Sequence, residues 1–477
     1  VLNNSQPIPW TAAEIIAATR GELLCGDLRR PFSGVSIDSR NISAGEAFVA
    51  ITGDVHDGHS FASDIVDQGV RGLIISRHKV EQMPIAAWNT NDVVCIAVED
   101  TTRALGDIAA FNRLRSQASV VAITGSNGKT TTRRMTTAIL DRQYDTLTAV
   151  GNFNNEIGLP LTLLGLSTEH QWAVLELGTN NPGEIARLAE ICSPDIGVLT
   201  NIGPAHLEGL GSIEGVMQEK GDLLRSLGPG GKAILNADDP RVIQLASSTK
   251  AEVILYGLSR EATIRAEDVN ETKDTISFTL IFAGESTSVR LNSPGRFMVS
   301  NALAAAAVGH QIGLSCRTVK TGIEAFKPVS GRMNVKHMAG GINLIDDTYN
   351  ANPESMKAAF AMLKTMRAGA RGVVVIGDML ELGDQAPSLH RNVGARAARS
   401  GISRLYAYGE FAAEVTSGAC DAGMPPTETF EGTHAEIVED LKDWLRPGDW
   451  LLVKGSRGMS MEEVVRKLQE WAGEKVS

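Results

Sequence analysis

The sequence predicts an α/β protein of three domains. Short apolar strands alternate with helical stretches and glycine-bearing turns along most of the chain, a pattern that favours right-handed crossovers and parallel sheets. The length of 477 residues is about three times a typical domain of roughly 150 residues. Hydrophobic residues make up 43% of the chain, which is globular and neither collagenous nor low in complexity. Lys plus Arg is 45 and Asp plus Glu is 56, a formal charge of 45 − 56 = −11. That balance argues against a general binder of nucleic acid or of anionic membranes. The apolar run Val93–Val98 stops far short of the roughly 18 residues of a membrane span, so no membrane insertion is expected. Five scattered cysteines with no Cys-x-x-Cys pair read as buried thiols in a reducing cytoplasm. The opening residues VLNNSQPIPW carry neither a basic flank nor an apolar core, so no signal peptide is expected.

The first unit, 1–99, opens at Thr11-Ala-Ala-Glu14, which has the spacing of a helix capping box. Strands are expected near Phe32–Ile37, Ala47–Ala50, Gly72–Ser76 and Val93–Val98. The second unit, 100–327, starts with a polar helical stretch, Thr101–Leu114. Strand Val120–Thr124, helix Thr130–Gln143, and strands Trp172–Leu177 and Ile196–Asn201 then follow. Pro182 suits the first turn of the intervening helix, and Ser212 suits a cap on the helix that ends before Gly228. Thr275–Phe282 and Ser286–Leu291 flank Ala283-Gly-Glu285 as a hairpin, and the Ala-rich Met298–Gln311 reads as a buried helix. In the third unit, 328–477, Asn334–Met338 and Ile342–Asp346 form another hairpin, followed by strands Gly372–Ile376, Arg404–Tyr408 and Trp450–Lys454. No internal repeat is evident.

The strongest chemical signal is Thr124-Gly125-Ser126-Asn127-Gly128-Lys129-Thr130-Thr131, between an apolar strand and a helix. Glycines let backbone N–H groups close around phosphate, and a helix N-terminus favours negative charge. Lys129 would reach the terminal phosphates and the Thr130 hydroxyl would hold Mg²⁺. Ile123 stands where the usual pattern has glycine, so the loop is a shortened variant. Glu176 ends an apolar strand, where carboxylates face the ligand crevice of parallel sheets; it reads as a metal carboxylate or a solvated strand end. His206 follows the next strand end and reads as a metal ligand or a structural histidine. Lys220, taken alone, reads as a solvated helical lysine. Asn154 and Asn155 lie in an amide- and glycine-rich loop, a plain Asx turn or a wall of the site. Asp346-Asp347-Thr348-Tyr349-Asn350-Ala351-Asn352 and Lys454-Gly455-Ser456-Arg457 both close apolar strands, where polar clusters gather as sites.

Together these residues resemble the Mur ligase family, over nearly the whole chain. Ser36-Ile37-Asp38-Ser39-Arg40 resembles its N-terminal uridine-nucleotide motif, and Gly125–Thr131 its ATP loop. Glu176-Leu-Gly178, Asn201–His206 and Lys220 fall in the family's order. Asp346–Pro353 and Lys454–Arg457 resemble the member that adds a D-alanyl-D-alanine dipeptide. The resemblance implies three domains: one for a UDP-sugar, a central P-loop ATPase with a parallel sheet, and a C-terminal Rossmann-like domain for the dipeptide. It implies that ATP converts the carboxylate of UDP-N-acetylmuramoyl-tripeptide to an acyl phosphate, which the amine of D-alanyl-D-alanine attacks, in cytoplasmic peptidoglycan precursor synthesis. It further implies two Mg²⁺ ions held by Thr130, Glu176, His206 and a carbamylated Lys220. Asn301, Arg332 and Asp346 would contact ATP; Asn154, Asn155, Asn350, Asn352, Lys454, Ser456 and Arg457 would serve the substrates. A monomer and a domain-closure step are expected. One departure stands out: Phe297-Met298 replaces the His-Asn usual after Gly295-Arg296, which makes the expected adenine pocket more apolar.

Other classes are less well matched. A P-loop GTPase would show Asn-Lys-x-Asp, and no Asn-Lys pair occurs. A nucleotide-gated binding module would bind ATP without amine-dependent turnover. The Asp-Asn-Pro-Arg motif of diaminopimelate-adding relatives is absent, and Ser36–Arg40 disfavours a folylpolyglutamate synthase.

Overall fold

A computed structural model describes residues 7–474 apart from Asp54 and Ala283. The opening stretch 1–6, where no signal peptide is expected, and Ala283 in the hairpin turn lie outside the described residues. Three sheets dominate, of five, nine and six strands.

The first sheet runs in the order Glu22–Cys25, Val94–Val98, Gly72–Ser76, Glu46–Val49, Gly34–Ser36, parallel except at its first strand. That first strand is absent from the sequence expectations: it is a four-residue edge with a register irregularity, too short to show alternation. The single strand expected over Phe32–Ile37 is two. Pro31–Phe32 pairs with Trp10–Thr11, and Gly34–Ser36 joins the sheet. Thr11 and Glu14 form the expected capping box.

In the central sheet the strand Ser119–Thr124 lies between Trp172–Glu176 and Ile196–Leu199, all parallel. Thr146–Thr148 extends one side, and Lys232–Asn236, Glu252–Gly257 and Ile264–Glu271 extend the other in parallel. The hairpin of Ile276–Phe282 and Glu285–Leu291 closes the sheet antiparallel. The chain leaves Ser119–Thr124 toward one side and later returns to the other, so a switch point opens at its carboxyl end. Helix Phe297–Gln311 is buried from Asn301 to Gly309, because its run of alanines admits close packing on helix Lys129–Leu140. Pro182 is not in the first turn of its helix. Helix Glu184–Cys192 starts after Gly183, whose φ of 90° suits glycine. The buried Glu219 caps that start instead, accepting from the N–H groups of Gly183 and Ile185 at 2.7 Å each.

The third sheet runs Asn334–Met338, Ile342–Asp347, Trp450–Lys454, Gly372–Gly377, Arg404–Tyr408, Thr429–Glu431, antiparallel only in its first pair. Two apolar cores cross between units. Trp10, Phe32 and Ile74 pack with Leu105, Ile108 and Val120. Leu199, Ile202 and Leu207 pack with Met356, Met379 and Leu382.

Lys454 and Asp347 are register partners on neighbouring strands and form a buried ion pair, Nζ to Oδ2, of 2.5 Å. Removing one partner of such a pair strands the other charge. Lys454→Met is expected to cost about 3–5 kcal/mol of stability, with Asp347→Leu added to it recovering much of the loss. Urea unfolding of the single and double variants reads this directly.

Candidate active site

The glycine loop closes tightly because two of its positions forbid a side chain. A Cβ on Gly125, φ 146°, would lie 1.9 Å from Thr200 Oγ1. One on Gly128, φ 82°, would lie 2.3 Å from Asn301 Oδ1. The loop is fixed from the neighbouring strand end: Asn201 Oδ1 accepts from Asn127 N–H at 2.9 Å, and Asn201 Nδ2 donates to Asn127 O at 3.0 Å. Thr200 Oγ1 donates to the same carbonyl at 2.6 Å, and Ser126 Oγ bonds both the N–H and the carbonyl of Gly203 at 2.9 Å.

A cavity of about 590 Å³ opens over this loop. It is lined by Ser126–Thr131, Asn154, Asn155, Glu176, Asn201, His206 and Asn301 from the central unit, and by Arg332, Asp347, Tyr349, Asn350, Asn352 and Lys454 from the third. Lys129 Nζ donates to Gly125 O at 2.8 Å. Burial lowers its pKa, Glu176 works against that, and the Arg332 charge adds to it. Glu176 is buried; its Oε2 accepts from Thr130 Oγ1 at 2.8 Å and its Oε1 from Asn154 Nδ2 at 3.1 Å. Arg332 stacks on Tyr349, 4.0 Å to the ring centre. The two units also meet side chain to side chain, Asn352 Nδ2 donating to Asn127 Oδ1 at 2.9 Å.

Several expected residues sit elsewhere. Asp346 does not line the cavity: strand alternation turns it to the opposite face, where it pairs with Lys336 at 2.9 Å and accepts from Thr348, while Asp347 faces in. Lys454 lines the cavity, but its Nζ is spent on Asp347 and on Asn350 O at 2.7 Å, so it is not a free cation for a carboxylate. Lys220 does not line the cavity either. It is wholly buried, and Nζ has no hydrogen-bond partner among the described residues, the reverse of a solvated helical lysine. Burial, and next the Lys129 charge, press its pKa well below that of an ordinary lysine. Thr124 is held under the loop, donating to Leu177 O at 2.9 Å. Ser456 and the largely exposed Arg457 line a smaller adjoining pocket with Lys129, His206 and Glu381. Ser36, Asp38, Ser39 and Arg40 lie on the first sheet's rim, away from the cavity lining. There Arg40 Nε donates to Asp38 Oδ1 at 2.8 Å and holds that carboxyl below its usual range.

Sequence reasoning missed Glu381 and Arg133. Glu381 follows the apolar strand Gly372–Gly377, the same strand-end signal used for Glu176. Arg133, buried on the P-loop helix, lies 3.7 Å from Glu176 and donates to Gly151 O at 3.1 Å, tying the Asn154 loop to the site. Among the described residues no three His, Cys, Asp or Glu side chains gather as a metal cluster. Mg²⁺ does not require one, since it keeps waters and takes one or two carboxylates beside substrate phosphates.

Fold and site together define a P-loop protein whose phosphate cavity is completed by a second α/β domain. The chain belongs to the Mur ligase family. The family models "Mur ligase family, catalytic domain", "Mur ligase middle domain" and "Mur ligase, glutamate ligase domain" match residues 31–113, 123–309 and 331–457. UDP-N-acetylmuramoyl-tripeptide--D-alanyl-D-alanine ligase of Escherichia coli is 37% identical over 97% of this chain and 99% of its own length. The Bacillus subtilis protein of the same name is 33% identical over 94% and 97%. A crystal structure of MurF from Acinetobacter baumannii superposes with a TM-score of 0.89 at 32% identity, covering 98% of this chain and all of that one. MurF ligase from Thermotoga maritima in complex with ADP gives 0.82 at 25% identity, covering 93% and 98%.

Proposed function

We propose that this chain joins D-alanyl-D-alanine to UDP-N-acetylmuramoyl-tripeptide at the cost of ATP, in the cytoplasm, as a step of peptidoglycan precursor assembly. The observation that carries it is a single cavity in which the glycine loop and Lys129 face the strand-end residues of the third domain. Residues 1–99 would take the UDP-sugar, 100–327 the ATP, and 328–477 the dipeptide, in a monomer.

The chemistry needs electrostatic positioning more than a protein nucleophile. The tripeptide carboxylate attacks the γ-phosphorus, the bond to ADP breaks, and an acyl phosphate results. The dipeptide amine then attacks the acyl carbon; phosphate leaves and the amine's proton is lost. Gly125–Thr130 present N–H groups and the Lys129 ammonium to the β- and γ-phosphates. Arg332 on Tyr349 offers a flat cationic face at the nucleotide end of the cavity. Phe297 and Met298 add apolar lining to the same cavity.

The residues fit divalent metal. A hydroxyl and a carboxylate, Thr130 and Glu176, meet at the helix N-terminus, a donor set suited to Mg²⁺. The orphaned Nζ of Lys220 is the group a carbamate would convert to an oxygen donor. Thr130 and Glu176 would hold one ion; His206 and carbamylated Lys220 would hold the other. Bound Mg²⁺ supplies charge neutralisation on the transferring phosphoryl oxygens.

The deciding measurement is ADP release with UDP-muramoyl-tripeptide while the amine is varied. Release that rises with D-alanyl-D-alanine is expected; release indifferent to it overturns the reading. Arg40→Ala is expected to raise KM for the UDP-sugar about tenfold or more, the worth of roughly 1.4 kcal/mol, with KM for ATP little changed. Small-angle scattering should show a more compact particle with all ligands present, since an acyl phosphate needs water excluded.

A further inference from the structure

Glu381 belongs to the third domain and has no place in the roles given above. It stands in the loop between strand Gly372–Gly377 and the short helix Gly383–Gln385, and reaches across to the central domain. Its Oε2 lies 2.6 Å from His206 Nδ1. Its backbone carbonyl accepts from Glu208 N–H at 3.1 Å, so side chain and main chain dock on the same short segment. The approach is close: a Cβ on Gly383 would lie 3.2 Å from Glu208 Cα.

Both partners hold unusual backbone. His206 has φ 58° and Glu381 φ 64°, the left-handed region that non-glycine residues seldom occupy. Such conformations persist where surrounding structure imposes them, and they cluster at functional sites. Here they occur on the two ends of one hydrogen bond that spans the domain boundary.

The chemistry of the bond is directional. A carboxylate accepts, so His206 Nδ1 carries the proton, and the Nε2 lone pair is left available. No hydrogen bond to Nε2 is present among the described residues, and His206 lines both the phosphate cavity and the smaller pocket beside it. A ring that donates its far N–H to a carboxylate is the arrangement that orients an imidazole for a cation, and removing such a partner typically weakens metal binding about 10–100-fold.

We infer that Glu381 is a positioning residue: by accepting the Nδ1 proton of His206 across the domain boundary it fixes that ring with Nε2 free for a divalent cation, so the centre is complete only while the third domain is docked. This rests on the ligase reading for its chemistry but not for its geometry, and the test separates the two.

The first measurement uses the ligand-free protein, ¹⁵N-labelled in its histidine rings, with His206→Gln assigning the signal among the nine histidines. The wild-type ring should be a single Nδ1–H tautomer, and Glu381→Ala should give a mixture. A wild-type Nε2–H ring, or a spectrum unmoved by Glu381→Ala, overturns the inference whatever the enzyme does. The second measurement is Mg²⁺ activation of dipeptide-dependent ADP release. Glu381→Ala should need about tenfold more Mg²⁺ for half-maximal rate, while Glu381→Gln, whose amide oxygen still accepts from Nδ1, stays within about threefold of wild type. Equal loss in both variants with unchanged Mg²⁺ dependence marks a merely structural contact and overturns it. If wild type itself shows no dipeptide-dependent release, the ligase reading fails while the ring spectrum still decides the role of Glu381. If Glu381→Ala does not fold, the wild-type tautomer and Glu381→Gln decide.

Discussion

Lys129→Ala is expected to lower kcat for dipeptide-dependent ADP release by about 10²–10³-fold or more, the scale of losing one preorganised stabiliser of developing charge. The reason lies in how the ammonium is placed. The Lys129 side chain folds over the loop to Gly125 O at 2.8 Å, inside the glycine cradle and close to Glu176. It is a cation fixed where phosphate charge would gather, already stripped of much of its water. Its lowered pKa records what that costs, with burial as the main cause. Stability should therefore move the other way. The variant removes a charge whose burial outweighs its attraction to Glu176, so its Tm should be equal to or above that of wild type, as is common where sites are built at the expense of stability. Lys129→Arg should not restore the rate, because a planar fork cannot replace a compact ammonium against the loop carbonyl. Near-normal kcat in Lys129→Ala removes Lys129 from the phosphate site, and a lost Tm together with lost activity would mark a structural residue.

The residues whose placement was legible in sequence share one property: that placement follows from local chain geometry. A glycine-rich turn after an apolar strand and before a helix puts Gly125, Gly128, Lys129 and Thr130 in place with no tertiary information. Glu176 follows from being at a strand end. Residues whose surroundings come from distant segments were not legible on those grounds. Lys220 looks like a solvated helical lysine because its neighbours Gln218, Glu219, Gly221 and Asp222 are polar or small, yet the helix face it occupies is turned into the protein. Asp346 and Asp347 cannot be told apart by motif. Strand register alone, with Asp347 opposite Lys454, decides which faces the cavity. Lys454 looks like a ligand cation until that same register pairs it. Glu381 and His206 are 175 positions apart, and only the docking of two domains joins them. The same applies to strand Glu22–Cys25, which exists because Val94–Val98 offers it an edge.

Lys220 carries the second large effect. Its Nζ is buried with no hydrogen-bond partner among the described residues, and its pKa is pressed well below the ordinary lysine value of 10.5 by burial and by Lys129. A neutral amine there is a nucleophile toward CO₂: the nitrogen bonds the carbon, one proton is released, and a carbamate with anionic oxygens remains. With ¹³C-bicarbonate, wild type should show a carbamate resonance that Lys220→Ala and Lys220→Arg lack. Both variants should lose on the order of 10²-fold in kcat, whereas an uncarbamylated lysine of purely structural function would leave the wild-type spectrum blank. The stability consequence has a fixed sign. A lysine whose folded pKa is depressed binds fewer protons in the folded than in the unfolded state, so stability rises with pH. The penalty is absent above 10.5, grows as pH falls from there, and stops growing below the folded-state value. Lys220→Met keeps the side-chain volume and removes that penalty, so at neutral pH its Tm should exceed that of wild type measured without bicarbonate. The gap should narrow as pH rises toward 10.5. Bicarbonate should narrow it as well, if the carbamate is what the pocket is shaped to hold, and a gap independent of both pH and bicarbonate would show that Lys220 is not the buried neutral amine this chemistry requires.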